Sequence, residues 1–236
     1  MKLLYLVHSV CLSIALTIPI TSHATLLGLS PELPNIDFSG SGIIEYNANN
    51  GIVRLSADPS TLFSIDPFIF TPILGTGANS IKSLNIQFQV DSLGNVITSN
   101  PTIPDLILKG EVDANGDDVP DYAGTLLTAE VIQFGYQNDI SNGDDVFDLR
   151  LNFFGGSLSP FYSNQDMDIA VRIISESSTV YNNPFNNSFT SSWQGQAKGV
   201  LGLTPSAPHA SVPITSPLWL WISLLPVLFP PLRRAK

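Results

Sequence analysis

Apolar and polar residues alternate along most of the chain, in short segments that end at turn-forming residues. The clearest segment is Ser83–Val90, where the apolar positions are Leu84, Ile86, Phe88 and Val90 and the positions between them are polar. A period of two is typical of a β-strand with one buried face and one solvent-facing face. The pattern predicts a strand whose four apolar side chains face the core.

A second pattern predicts a β-hairpin. Two short apolar segments, Ile43–Tyr46 and Ile52–Leu55, flank the polar stretch Asn47–Gly51. The Asn50-Gly51 pair accepts a positive φ, which a tight hairpin turn requires. The two segments are therefore expected to pair as antiparallel strands.

Similar patterns recur through the rest of the body and define the expected fold class. A parallel α/β sheet would need helical patterns between its strands, and the sequence between these segments has turn residues instead. The sequence predicts an all-β fold, a single antiparallel sandwich or jelly roll of seven to nine short strands. The further predicted strands are Leu106–Val112, Thr125–Phe134, Val146–Phe154, Ile169–Ile174 and Phe189–Val200.

The first 24 residues have the pattern of a secretory signal peptide. Lys2 precedes an apolar stretch from Leu3 to Ile18, and Ser22 and Ala24 supply small residues before the expected cleavage point. An uncleaved anchor helix is the alternative, but Pro19 would interrupt such a helix. We expect cleavage after Ala24 and export of the chain.

The last residues predict a membrane-associated tail. Pro217–Leu232 contains 16 residues without a charge and is followed at once by Arg233 and Arg234. A basic cluster after an apolar stretch keeps that end in the cytoplasm, and 16 residues suit a transient anchor helix in the inner membrane. The expected organisation is a signal peptide (1–24), a body (25–200), a linker (201–212) and a tail (213–236).

The tail resembles a known sorting signal. Val212–Trp221, followed by apolar residues and by Arg233 and Arg234, is similar to a variant of the PEP-CTERM sorting domain. The stretches Ala123–Tyr136 and Asp148–Gly156 are similar to β-rich, uncharacterised proteins that carry such tails. The resemblance implies that an exosortase recognises the tail and that the protein reaches the cell surface or an exopolysaccharide matrix.

Composition narrows the possible chemistry of the body. Residues 25–208 hold 6 basic and all 20 acidic residues, a formal charge of −14, and the basic residues are scattered singly. Nucleic acid is therefore excluded as an expected partner. His8, His23 and Cys11 belong to the leader and His209 to the linker. Without His or Cys the body lacks the groups for Ser-His-Asp, thiol or common zinc chemistry, so we expect no enzymatic activity.

One acidic segment predicts a candidate metal site. Asp113–Tyr122 resembles the calcium loop of thrombospondin type-three repeats. Oxygen-bearing groups at near-alternate positions suit a hard cation such as Ca²⁺. An acidic turn without a metal is the alternative interpretation. The candidate ligands are the side chains of Asp113, Asn115, Asp117 and Asp121 and the carbonyl of Val119.

The sequence is compatible with three functions. The leading hypothesis is an exported, non-enzymatic protein of the cell surface or exopolysaccharide matrix, stabilised by calcium. The alternative is a carbohydrate-binding module of jelly-roll type, which an exposed row of aromatic side chains would favour. An enzyme acting on glycans is the third, and it would need two carboxylates facing each other across a cleft. The candidate aromatic residues are Phe68, Phe70, Phe153, Phe154, Phe161 and Trp193.

Overall fold

The computed structural model describes most of the body. The described residues are 26–38, 40–76, 81–97, 102–139, 144–164, 166–175, 185, 187–194 and 198–207. The predicted signal peptide (1–24) and tail helix (213–236) lie outside them. Within the described part of the chain, no helix has the length and apolar character needed to cross a membrane.

The described residues of the body form thirteen strands and one short helix. The first seven strands are β1 (Glu32–Asp37), β2 (Ser41–Asn47), β3 (Ile52–Ala57), β4 (Thr61–Ile65), β5 (Phe68–Pro72), β6 (Ser83–Val90) and β7 (Val96–Ile97). The others are β8 (Leu106–Val112), β9 (Tyr122–Asp139), β10 (Asp144–Gly155), β11 (Met167–Ile174), β12 (Phe189–Gln194) and β13 (Gly199–Pro205). The helix, α1 (Ser159–Tyr162), lies between β10 and β11.

All strand pairs are antiparallel and belong to one curled sheet, which confirms the predicted all-β class. The order is β12-β2-β3-β6-β8-β9-β10-β11-β13-β1-β4-β5, with β7 paired to β6. After β5 the chain returns to β8, where Leu74 and Glu111 exchange two main-chain hydrogen bonds of 2.9 and 2.8 Å. The prediction of a sandwich implied two separate sheets, whereas the described strands form a single hydrogen-bonded path.

The alternating segment of β6 faces the core as the sequence predicts. Leu84, Ile86, Phe88 and Val90 are only 0–4% exposed, and they belong to one continuous hydrophobic cluster that includes residues of nearly every strand. Burying side chains of this size contributes about 1.5–3 kcal/mol each. This cluster is the main source of stability, since the body contains no cysteine to form a disulfide.

The predicted hairpin is also confirmed. β2 and β3 pair in register, with Tyr46 opposite Val53. The turn closes through a 2.9 Å hydrogen bond from the Gly51 N–H to the Asn47 carbonyl. Gly51 has φ 68°, a left-handed conformation that glycine adopts without steric cost.

The C-terminal end of the body differs from the prediction. Residues 201–212 were expected to form a linker, and Phe189–Val200 one strand, but Gly199–Pro205 forms the separate strand β13 between β11 and β1. The glycines of this strand permit close packing. A methyl group at Gly199 would overlap the Phe38 ring, and one at Gly202 would overlap the Glu32 carbonyl. The body therefore extends at least to Pro205.

The N-terminal segment Leu26–Pro31 crosses the outer face of the sheet. The Leu29 N–H donates a 3.1 Å hydrogen bond to Asp148 Oδ2, and the Leu29 carbonyl accepts one of 3.2 Å from Arg172 Nη1. Asp148 and Arg172 lie opposite each other on β10 and β11. One residue of the segment is thus held through both of its main-chain groups.

Candidate functional site

The predicted calcium ligands lie in the loop that joins β8 to β9, which we call the acidic loop (Asp113–Asp121). Val112 and Tyr122 pair across its base, so the loop is the tip of a β-hairpin. Residues 115–121 are exposed to solvent. The sequence folds this way because Asp and Asn side chains can accept hydrogen bonds from nearby main-chain N–H groups and thereby replace a regular turn.

The two end carboxylates of the acidic loop bind its own main chain. Asp113 Oδ1 accepts a hydrogen bond from the Gly116 N–H (2.7 Å), and Asp113 Oδ2 accepts one from the Asp118 N–H (2.8 Å). From the other end, Asp121 Oδ2 accepts bonds from the N–H groups of Ala114 (2.8 Å) and Asn115 (3.2 Å). The loop is therefore ordered by its own carboxylates.

The middle residues connect the two ends. Asn115 Nδ2 donates to Asp117 Oδ2 (3.2 Å) and to Asp121 Oδ1 (3.4 Å). Asn115 Oδ1 accepts from the Asp117 N–H and Asp117 Oδ1 from the Val119 N–H, both at 2.9 Å. The structure thus brings the side chains of Asn115, Asp117 and Asp121 together, while the Val119 side chain points to solvent.

Asp118 adopts a main-chain conformation that favours glycine. Its φ is 66°, so the loop adopts the left-handed bend there even without glycine. Aspartate tolerates this conformation better than most residues because its side chain can form local hydrogen bonds.

The acidic loop has no preformed cluster of metal-binding carboxylates. Among the residues that the structure describes, no group of three or more His, Cys, Asp or Glu side chains is arranged to hold a metal ion. The carboxylates instead accept main-chain hydrogen bonds, which are available whether or not a cation binds. Each carboxylate oxygen retains further acceptor capacity.

The predicted aromatic residues separate into exposed and buried groups. Phe68 and Phe70 on β5 are 74% and 72% exposed, and both contact the Phe63 ring on β4 edge to face, with centroid distances of 6.3 and 6.0 Å. We call this surface the aromatic hairpin. Phe154 is also exposed, whereas Trp193 is buried and Phe153 and Phe161 pack partly against the core.

The most strongly buried carboxylate belongs to Asp148. Burial raises its pKa, against the opposing effects of the hydrogen bonds from Leu29 and Gly28 and of the Arg172 charge. Its Oδ1 atom is buried and accepts no hydrogen bond. Because the N-terminal segment lies over it, Asp148 is a structural group under a covering chain and not one of two carboxylates facing a cleft.

A neighbouring ion pair has the same structural character. Arg150 Nη1 lies 2.8 Å from Asp168 Oδ2 and donates a 2.7 Å hydrogen bond to the Pro205 carbonyl. The Ser206 hydroxyl donates to Asp168 Oδ1 at 3.0 Å. These contacts fasten the end of β13 to β10 and β11.

The sequence did not single out the solvent side of β12, β2, β3, β6 and β8. Three shallow depressions of about 400 to 420 Å³ each lie along this side, lined by amide and hydroxyl side chains, scattered isoleucines and the charged residues Glu45, Arg54, Asp58 and Asp105. The signal that could have identified it is present in β6, whose solvent-facing positions are Ser83, Asn85, Gln87 and Gln89. Asn is generally depleted in strands, so strand formation alone does not explain the presence of Asn85 on β6.

The chain was compared with known proteins at three levels. No family model, curated protein or solved structure matches it.

Proposed function

We propose that the protein is an exported, non-enzymatic component of the cell surface or of an exopolysaccharide matrix. The observation that carries this proposal is the chemistry of the folded body. It has no His or Cys. Asp148 and Arg172 bind the main chain of Leu29, and the Arg150–Asp168 ion pair holds the end of β13, so these groups fasten the two ends of the body to the sheet. These groups have structural roles, which favours a module that binds or spaces other molecules.

The two ends of the sequence support the proposed location. The leader (1–24) would direct export, and the tail (213–236) would hold the protein transiently in the inner membrane until an exosortase recognises it. The body would then pass to the cell surface or into exopolysaccharide.

The location can be tested in a Gram-negative host that contains an exosortase, compared with the same host lacking it. Full-length protein carrying an epitope tag near residue 40 is followed by fractionation and by its sensitivity to external protease. We expect tagged protein in the surface or matrix fraction only when the exosortase is present. Protein that stays in the cytoplasm in both hosts would refute the proposed function.

Calcium is part of the proposal as a structural ligand of the acidic loop. The candidate ligands are Asp113, Asn115, Asp117 and Asp121 through their side chains and Val119 through its carbonyl. The preordered loop supports this role, because the carboxylates of Asp117 and Asp121 both lie within hydrogen-bonding distance of the Asn115 amide, and a cation bound beside them would offset their mutual repulsion.

A carbohydrate-binding module is the second candidate function. The aromatic hairpin favours it, because Phe68 and Phe70 present exposed rings on one side of β5. Aromatic faces pack well against the C–H groups of sugar rings. Replacing both residues by alanine would weaken glycan binding if the hairpin is the site and would leave the core intact.

A further inference from the structure

The solvent side of five neighbouring strands forms a continuous surface that we call the polar face. Its side chains fall into rows that cross the strands, as the strand registers require. One row contains Thr190, Glu45, Arg54 and Gln87, and the next contains Ser192, Ile43, Ser56 and Asn85. Neighbouring strands lie about 4.8 Å apart, so each row offers one side chain per strand at that spacing.

Hydrogen bonds between the side chains hold the polar face in position. Arg54 Nε donates to Gln87 Oε1 (2.9 Å), and the Ser56 hydroxyl donates to Asn85 Oδ1 (3.2 Å). Gln89 Nε2 donates to the Asn50 carbonyl (2.8 Å). Because these bonds use the amide oxygens of Gln87 and Asn85, the amide N–H groups of both side chains remain able to donate to a ligand. A fixed donor costs less conformational entropy on binding than a free one.

The charge of the polar face points to an uncharged ligand. The centre of the face carries Glu45 and Arg54 in opposite positions on β2 and β3, so their charges offset each other. Towards its edges lie Lys109 on β8 and the carboxylates of Asp58 and Asp105, which line two of the depressions. The face therefore carries charges of both signs and is less acidic than residues 25–208 as a whole, whose formal charge is −14. Anionic polymers would be repelled by the molecule as a whole, and cationic ones would find a stronger attraction elsewhere.

The shape and chemistry of the face suit a chain of sugar rings. Its depressions join amides and hydroxyls, which bind sugar hydroxyls, to Ile43, Ile52 and Ile107, which can contact the C–H groups of a ring. The strand spacing is comparable to the length of one hexose unit. An extended polymer lying across the strands would therefore meet a similar set of groups at each step.

We propose that the polar face binds a neutral, hydroxyl-rich polysaccharide that lies across β2, β3 and β6. The inference rests on the proposed location at the surface or in the matrix, because that location supplies the ligand. It adds the ligand class and a binding surface distinct from the aromatic hairpin.

The test uses the full-length protein in mild detergent. Its mobility is measured by affinity electrophoresis in gels that contain the neutral or the acidic polysaccharide fraction released from a bacterium that encodes the protein. We expect retardation by the neutral fraction. The double variant Asn85→Ala/Gln87→Ala should weaken this binding by about tenfold or more, as expected for the loss of one or two hydrogen bonds.

Two control variants make the test specific to the polar face. Asn152→Ala removes another exposed strand asparagine, on β10, and is the matched control; it should bind within about twofold of the wild type, a difference too small to reflect a lost hydrogen bond. Phe68→Ala/Phe70→Ala removes the aromatic hairpin and shows whether the competing site accounts for the binding. Thermal unfolding of all variants checks that they fold.

Three results would overturn the inference. The first is retardation by the acidic fraction alone, and the second is no retardation by the neutral fraction. The third is loss of binding in the Phe68→Ala/Phe70→Ala variant together with unchanged binding in the Asn85→Ala/Gln87→Ala variant. Failure of the inference is distinguishable from failure of the proposed function, because the localisation experiment is independent of glycan binding.

Discussion

Aspartate residues occupy two opposite environments in this protein. In the acidic loop they are exposed and accept hydrogen bonds from the main chain of their own turn. Asp148 is fully buried, and it accepts a hydrogen bond from Leu29, 119 residues away in sequence. A cation can reach the exposed carboxylates of the acidic loop. At the buried site of Asp148, an ionised carboxylate would lower the stability of the folded state.

The first residue-level prediction concerns calcium at the acidic loop. A cation that binds only the folded state stabilises it by about 2.7 kcal/mol at a hundredfold excess over Kd. Since Asp118 takes the place of glycine, we expect Kd in the range of about 10⁻⁴ to 10⁻³ M that is typical of extracellular modules. Thermal unfolding should therefore shift upward in excess calcium, and less in magnesium or chelator.

Two variants locate that calcium effect. Asp117→Ala should lose most of the shift, whereas Asp58→Ala, an exposed aspartate outside the loop, should keep it. If calcium stabilises no more than magnesium does, or if the Asp117 variant shifts as far as the wild type, the loop is an acidic turn only.

The second residue-level prediction concerns pH and Asp148. Burial raises its folded-state pKa above the ordinary value of 3.8, so the folded protein favours the protonated form. The contribution of this group to stability is complete below pH 3.8 and is lost as pH rises through the raised pKa. Asp148→Asn should remove this loss, so the stability of the wild type relative to the variant should fall as the pH rises above 3.8.

Urea unfolding of both proteins at several pH values measures the difference. Other ionisable groups are common to both and cancel in the comparison. A relative stability that rises with pH would mean that Arg172 and the main-chain bonds outweigh burial.

At the level of elements, the sequence predicted the strands in which apolar and polar residues alternate regularly. It did not predict strands rich in Gly, Pro or clustered aromatic residues. β6 and the β2–β3 hairpin follow the expected period. β13 was missed because the mixture of Gly, Pro, Ser and Ala from Ala197 to Val212 is typical of a linker. The close packing that Gly199 and Gly202 permit depends on Phe38 and Glu32, which lie far away in the sequence.

Gly202→Ala tests this interpretation of β13. The added methyl group would meet the Glu32 carbonyl in a strand that is paired on both sides, so we expect a loss of about 1–3 kcal/mol in the free energy of unfolding. Gly40→Ala is the matched control, because a methyl group there has open space. Equal stability of the two variants would contradict a tightly packed β13.

The acidic loop could be predicted from the sequence, whereas the polar face could not, because only the loop is built from residues that are neighbours in the sequence. Asp113, Asn115, Asp117 and Asp121 are local in sequence, and their spacing alone brings them together. The polar face combines residues of five strands, and only the tertiary register aligns Thr190 with Glu45 and Arg54. Sequence alternation identified the solvent side of β6, but it contained no information on which strands lie beside it.

At the level of the whole molecule, the described part of the body is one curled sheet, and hydrogen bonds hold both of its chain ends to that sheet. The N-terminal segment is fixed by Asp148 and Arg172, and the last strand is fixed by Arg150 through the Pro205 carbonyl. The described part of the body thus has its own core and its own closing contacts. This organisation favours a body that is independent of the predicted tail.

Removal of Ser211–Lys236 should therefore leave a folded protein that no longer fractionates with membranes. The full-length chain serves as the comparison, and its unfolding transition should match that of the truncated chain. Aggregation of the truncated protein would show that the tail belongs to the fold and would remove the main support for a sorting role.

The pairing of β1 with β13 has a consequence for the order of events during folding. Ile36 lies opposite Leu201, so these strands meet only after nearly the whole body has been synthesised. Contacts of such high contact order are typically made slowly, on a timescale of about milliseconds to seconds. If the chain is exported N-terminus first, β1 would therefore cross the membrane before β13 is available to pair with it. The sheet would then be incomplete during export, which would keep the chain unfolded while it crosses the membrane.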